Sequence, residues 1–335
     1  MQKIVILFIS TLLLTSCLKN IEEDDIIPQE SFPSGSTIDM VALTETYKFQ
    51  IYYSLENKKK VSKNIKSDWD LGFESTTNGW HIILNSSKHM KVGKSESTSL
   101  QEEINSAEIQ MSFDAATGSL DSTAINNWRD ESPKVYVIDR GSDENGTVLD
   151  FKKVIFEKLE NEKYFFAFSD MNGTNIQNFE ISKNPEKNFV SFSFNNNGEV
   201  KNIEPISTDW DILFTQYSKM LYDGETPFPM NVTGALINKS HIKTAEITNV
   251  SYENITADNI HAFNYLAYAD VIGYDWKELS GDVTSGNFTY VMQENLCYVL
   301  HNTLSDKYFK LRFKGFYNKS GEKGYPSFEY QEIYF

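Results

Sequence analysis

The chain has 335 residues, 40% of them hydrophobic and 23% charged, a composition that belongs to a folded globular protein and excludes disorder throughout. Its 31 Lys and Arg stand against 47 Asp and Glu, giving a net charge of −16. That balance excludes binding of nucleic acid or anionic lipid by bulk charge, because phosphates need clustered cations and the sequence offers only Lys58-Lys59-Lys60.

The first sixteen residues are expected to be a signal. Lys3 makes a positive n-region, Ile4 to Leu14 form an apolar stretch too short to span a bilayer, and Leu14-Thr15-Ser16-Cys17 follows at once. The tetrapeptide resembles a bacterial lipobox, which makes Cys17 the acylated N-terminus of the mature chain. Two or three acyl chains anchor a protein stably, each buried CH₂ contributing about 0.8 kcal/mol. Residues 17–40 read as an acidic flexible tether carrying Glu22-Glu23-Asp24-Asp25 and ending in Phe32-Pro33-Ser34-Gly35-Ser36. The acidic run resembles the export signal of surface lipoproteins in the Bacteroidetes, so the expected location is the outer membrane, lipid-anchored and surface-exposed. A plain solvated spacer is the alternative. With Cys17 acylated, Cys297 has no partner for an intrachain disulfide and reads as a small buried hydrophobe.

Beyond the tether the pattern is short strands. Phe49, Ile51 and Tyr53 alternate with polar residues, a charged turn follows, and Asp68-Trp69-Asp70-Leu71-Gly72-Phe73 begins another extended run. Trp210 repeats Trp69 at a shift of 141 in Asp209-Trp210-Asp211-Ile212-Leu213-Phe214, and the same shift carries Phe49, Ile51 and Tyr53 onto Val190, Phe192 and Phe194. Trp128 and Trp276 echo each other at a shift of 148, and Lys163–Phe168 resembles Lys307–Phe313 at 144. This predicts an internal duplication with units 41–182 and 183–335. Helix is expected only over Ser99–Met111 and Thr256–Phe263. The predicted class is mainly β, two related sandwich-like β-sheet units with few short helices. On a strand, Asp68 and Asp70 would share one face with Trp69 on the other, a structural repeat rather than a pair of catalytic carboxylates.

The Asp-Trp-Asp unit after an alternating strand resembles the HmuY family of haem-binding lipoproteins. The same holds for Thr233-Gly234-Ala235-Leu236, Asp275-Trp276-Lys277-Glu278-Leu279 and the closing strands through Tyr308–Phe313 and Ser327–Tyr330. The resemblance covers 183–335 well and 41–182 weakly. It implies a non-enzymatic surface carrier that binds haem, a related tetrapyrrole or an iron chelate, and passes it to a TonB-dependent outer-membrane receptor. Haem needs His or Met axial ligands between apolar walls. The segment after Trp276, Leu279-Ser280-Gly281-Asp282-Val283-Thr284-Ser285, departs from the family by lacking both.

The candidate ligands are therefore His261 and Met292, either side of Trp276, and Met230, which with Met220 flanks Pro227-Phe228-Pro229. Ordinary packing is the competing reading for each. His241 and His301 read as surface residues. A glycan- or protein-binding accessory lipoprotein without haem, exposing Trp80 and Tyr222 for stacking, is the alternative function. The sequence holds no Gly-rich phosphate loop, paired Cys, His-Glu-x-x-His or Gly-x-Ser-x-Gly, so no enzyme is expected.

Overall fold

The computed structural model describes residues 35–129, 132–282 and 285–335, so the lipobox at Cys17 and nearly all of the tether lie outside the described residues. The described chain is strands joined by turns and single 3-10 turns, with every named strand pair antiparallel. An edge strand β1 (Thr37–Met40) precedes the hairpin β2 (Phe49–Ser54) and β3 (Lys59–Ile65). There follow β4 (Leu71–Glu74), β5 (Ile82–Leu84), β6 (Lys91–Lys94), β7 (Val135–Asp139), β8 (Lys152–Glu160) and β9 (Lys163–Asp170). The second half repeats the plan with β10 (Gln177–Ser182) and the hairpin β11 (Phe189–Ser193) and β12 (Glu199–Lys201). It continues through β13 (Ile212–Asp223), β14 (Thr226–Ile237), β15 (Ile242–Ile247), the inserted hairpin β16 (Lys277–Asp282) and β17 (Asn287–Met292), β18 (Cys297–Asn302), β19 (Lys307–Tyr317) and β20 (Lys323–Ile333).

Two sandwiches result. In the first, the sheet β10-β9-β8-β7-β6 covers β12-β11-β4-β5; in the second, β1-β20-β19-β18-β15 covers β14-β13-β2-β3. Aromatic residues fill both cores, which explains their high share in the sequence. In the first, Phe166 lies 5.1 Å from both Phe73 and Phe192, with Trp128 beside them. In the second, Trp276 stacks on Phe313 at 3.8 Å, close to Phe328 and Tyr330. Each such ring, fully buried, contributes about 1.5–3 kcal/mol of apolar transfer, and edge-to-face packing adds to it.

The sheets do not divide at residue 182. Strands β4 to β12 form the first sandwich as one continuous stretch, inserted between β3 and β13 of the second. Matching the two sheet orders makes β1 the counterpart of β10, β2-β3 of β11-β12, and β13-β14 of β4-β5. Each repeat therefore gives its first three strands to the sandwich that holds the rest of the other repeat. The boundaries 41–182 and 183–335 miss this because strand pairing is non-local and a linear comparison cannot see which copy a strand joins.

Two alignments also shift. Leu71 pairs with Phe192 and its counterpart Ile212 pairs with Tyr53, so β2 and β11 correspond at 139 rather than 141. A slip of two keeps every side chain on its face, which is why the alternation tolerated it. The same sheet orders place β8, not β9, opposite β19. The expected helices reduce to the turns Ser106–Glu108 and Ile260–Ala262. Ser99 and Asn105 accept bonds from the Gln101 and Ala107 amides, offering the backbone turns in place of a helix.

Candidate functional site

The two Asp-Trp-Asp triplets are the chain crossings between sandwiches, and they lie in turns before β4 and β13 rather than on strands. Each second aspartate is buried, while Asp68 and Asp209 are not. Asp70 accepts from the Phe194 amide at 2.8 Å, from Ser193 at 3.2 Å, from Arg140 at 3.0 and 3.1 Å, and from Lys88. Burial would raise its pKa, but Lys88 and Arg140 outweigh that and hold the carboxyl below its ordinary range. Asp211 accepts from the Leu55 amide at 2.7 Å and from Asn302 at 3.3 Å, with His241 Nε2 3.6 Å away.

An asparagine staples each crossing. Asn85 Nδ2 donates to the Lys66 and Trp69 carbonyls, and Asn238 Nδ2 to those of Ser207 and Trp210. Ser87 and Ser240 hydroxyls then fix the amide oxygens at 2.6 and 2.7 Å. The two buried carboxylates hold the crossings to the strands around them. The tryptophans, however, leave the sandwich cores and pack with Tyr52, Ile203 and Leu213 at the crossing. His241 is buried there, 3% exposed, not on the surface as expected.

The predicted ligands do not come together. Met292 packs against the core inside the second sandwich. His261 lies outside the opposite face of that sheet, edge-on to Tyr308 at 5.7 Å and stacked on Phe335 at 5.4 Å. Met230 is 50% exposed on β14, paired with Lys219. Pro227 and Pro229 form no loop; they sit in β14, an edge strand, where a missing N–H is tolerated. Trp80 is not a free platform either, since His81 stacks on it at 4.0 Å and the Arg129 guanidinium covers it at 4.1 Å.

The outer face of β18 and β19 instead brings His261 and His301 to the same residue, Tyr308. His301 stacks on Tyr308 at 4.1 Å with nearly parallel planes, and Tyr265 lies 6.0 Å from the same tyrosine. Asp306, in the tight turn after β18, binds His301 Nε2 at 2.8 Å. A carboxylate only accepts, so Nε2 is the donor of this bond. His261 makes no hydrogen bond among the described residues. The patch thus offers two imidazoles about one buried tyrosine, with Phe335 74% exposed beside them. Sequence reading passed over His301; the signal was Asp306 five residues on, across a hairpin turn.

No curated protein matches the chain. Among solved structures, apo PinO from Porphyromonas gingivitis is similar at 11% identity and a TM-score of 0.33, over 90% of this chain and 99% of that one. The apo HmuY analog TFO of Tannerella forsythia is similar at 11% identity and a TM-score of 0.25, over 90% and 96%. A chain from Bacteroides vulgatus whose name gives it as HmuY-like and heme binding is similar at 16% identity and a TM-score of 0.18, over 53% and 90%. The model of the HmuY protein family matches residues 46–330, nearly all of both sandwiches. The chain belongs to the HmuY family.

Proposed function

We propose that this chain is a lipid-anchored outer-membrane surface protein that binds haem or a related tetrapyrrole and delivers it to a TonB-dependent receptor, working by binding alone. Family membership supports the ligand class, and one observation carries the site: His301, oriented by Asp306, and His261 both contact Tyr308. A carboxylate on the far nitrogen of a ligating histidine fixes the ring and raises its basicity. The neighbouring aromatic rings supply the apolar surface that a porphyrin needs. Acylated Cys17 would hold the domain at the membrane.

Hemin titration tests the site. The wild-type protein is expected to give a shifted Soret band at one equivalent. His301→Ala and His261→Ala should each weaken binding at least tenfold, and Asp306→Asn less, since it removes only the orienting bond. His81→Ala, in the other sandwich, serves as control. A wild-type titration without spectral change in either iron redox state refutes the reading; a normal titration of both histidine variants refutes the site.

A further inference from the structure

Between the outer faces of the two four-stranded sheets lies a cavity of about 360 Å³ that shares no residue with the histidine patch. Its walls are Trp69 and Trp210 from the crossings, Tyr52 and Leu213 from one sheet, and Ile83 and Phe189 from the other. A strap spanning Asp114–Thr123 closes the third side. The strap is tied to both sandwiches, because the Thr117 carbonyl accepts from Ala269 at 2.8 Å and Asp114 accepts from Leu84 and Ala124 at 2.6 and 2.7 Å.

The polar groups in this apolar space are unbalanced. Glu204, 6% exposed, accepts from Asn188 at 2.7 Å, Phe189 at 2.8 Å and Trp210 at 3.3 Å, and Asp114 accepts its two amides. Neither carboxyl has a cationic partner among the described residues. The third carboxyl on the wall, Glu74, is already held by His81 and Thr76, and the one lysine, Lys239, donates to the Gly118 carbonyl of the strap. Tyr217 also lines the cavity, but its hydroxyl lies beside Gly273, outside the lining. A buried carboxylate without a cation is costly.

We propose that the cavity is a binding site for a small, mainly apolar amine of arylalkylamine size, whose ammonium is neutralised by the Glu204 carboxylate, with Asp114 as a second acid on the wall. The volume lies at the lower end of the roughly 300–1,000 Å³ typical of small-molecule pockets, which suits one aromatic ring and a short chain. Each carboxylate oxygen of Asp114 holds one donor and keeps a lone pair for another. Burial pushes Asp114 up to about 6 and Glu204 up to about 7, as expected where no cation offsets the lost hydration.

The probes are 2-phenylethylamine, 2-phenylethanol and 3-phenylpropionate, which share a ring and differ in charge. Binding to the whole protein is read by calorimetry and by tryptophan fluorescence at about pH 8, where both carboxyls are ionised. The amine is expected to bind one to one and at least tenfold more tightly than the alcohol, with the anion weakest. Glu204→Gln should erase most of the preference for the amine. Leu120→Trp, which fills the cavity from the strap, should abolish binding of amine and alcohol while circular dichroism stays that of the wild type. Equal affinity for the three probes, no binding of any, or unchanged binding in folded Leu120→Trp would each overturn the proposal.

Discussion

Replacing Asp70 by Ala is expected to lower the unfolding free energy by about 3–5 kcal/mol, because it leaves the buried Lys88 ammonium without its carboxylate, while Arg140 keeps Asp150. Lys88 is fully buried and Arg140 nearly so, and both aim at this carboxylate. The loss is double. The crossing also gives up the acceptor for the Phe194 amide and the Ser193 hydroxyl. Asp211→Ala should cost less, about 1–3 kcal/mol, since its partners are an amide, an asparagine and a histidine 3.6 Å away. Asp68→Ala, outside the buried cluster, should stay within about 0.5 kcal/mol. Guanidinium denaturation of the three variants gives the ranking directly. If Asp70→Ala costs less than Asp211→Ala, the ion cluster is not what holds the first crossing.

The second large effect depends on pH. Burial lifts Glu204 from the 4.5 of a free glutamate to about 7, so folding favours its neutral form. Between those values the native state binds more protons than the unfolded one, and stability falls as pH rises. The contribution is fully present below about 4.5 and is lost as pH rises through about 7. Its size is on the order of 3 kcal/mol for a shift of this extent. Asp114, lifted to about 6, acts in the same direction. Glu204→Gln cannot ionise, so its unfolding free energy should change between pH ~4.5 and ~7.5 by roughly 3 kcal/mol less than that of the wild type. The variant also loses an acceptor for one of three donors, but that penalty is the same at every pH in this range. A parallel pH profile for variant and wild type would show that Glu204 does not carry the effect.

The sequence was most legible where side chains obey a local period. Alternation placed β2 and β11, because that pattern follows from strand geometry alone, whereas the repeated triplet reads as strand and lies in turns. Partner choice was not legible: nothing in Phe49–Ser54 states that it pairs with Ile212–Phe214 rather than with Leu71–Phe73. Asn85-Ser86-Ser87 and Asn238-Lys239-Ser240 stand out by no pattern in the sequence, yet they staple the crossings. The site suffered from the same blindness. His261 is visible as a candidate, but its neighbour His301 is forty residues away and joins it only through the sheet. Glu204 and Asp114 carry no motif; what sets them apart is burial with no cationic partner among the described residues, a property of the folded chain.

The reciprocal placement of the first three strands has a topological consequence. Tandem copying of a self-contained domain would yield two beads, each closed on itself and separable by a single cut. Here the chain has the topology of a domain-swapped homodimer joined end to end. One cut between β9 and β10 leaves each fragment with three strands whose partners lie in the other piece, so the fragments should seek each other or a second copy of themselves. Release of the inserted sandwich takes two cuts, one at each Asp-Trp-Asp, and those crossings are where the buried aspartates fasten the molecule most tightly.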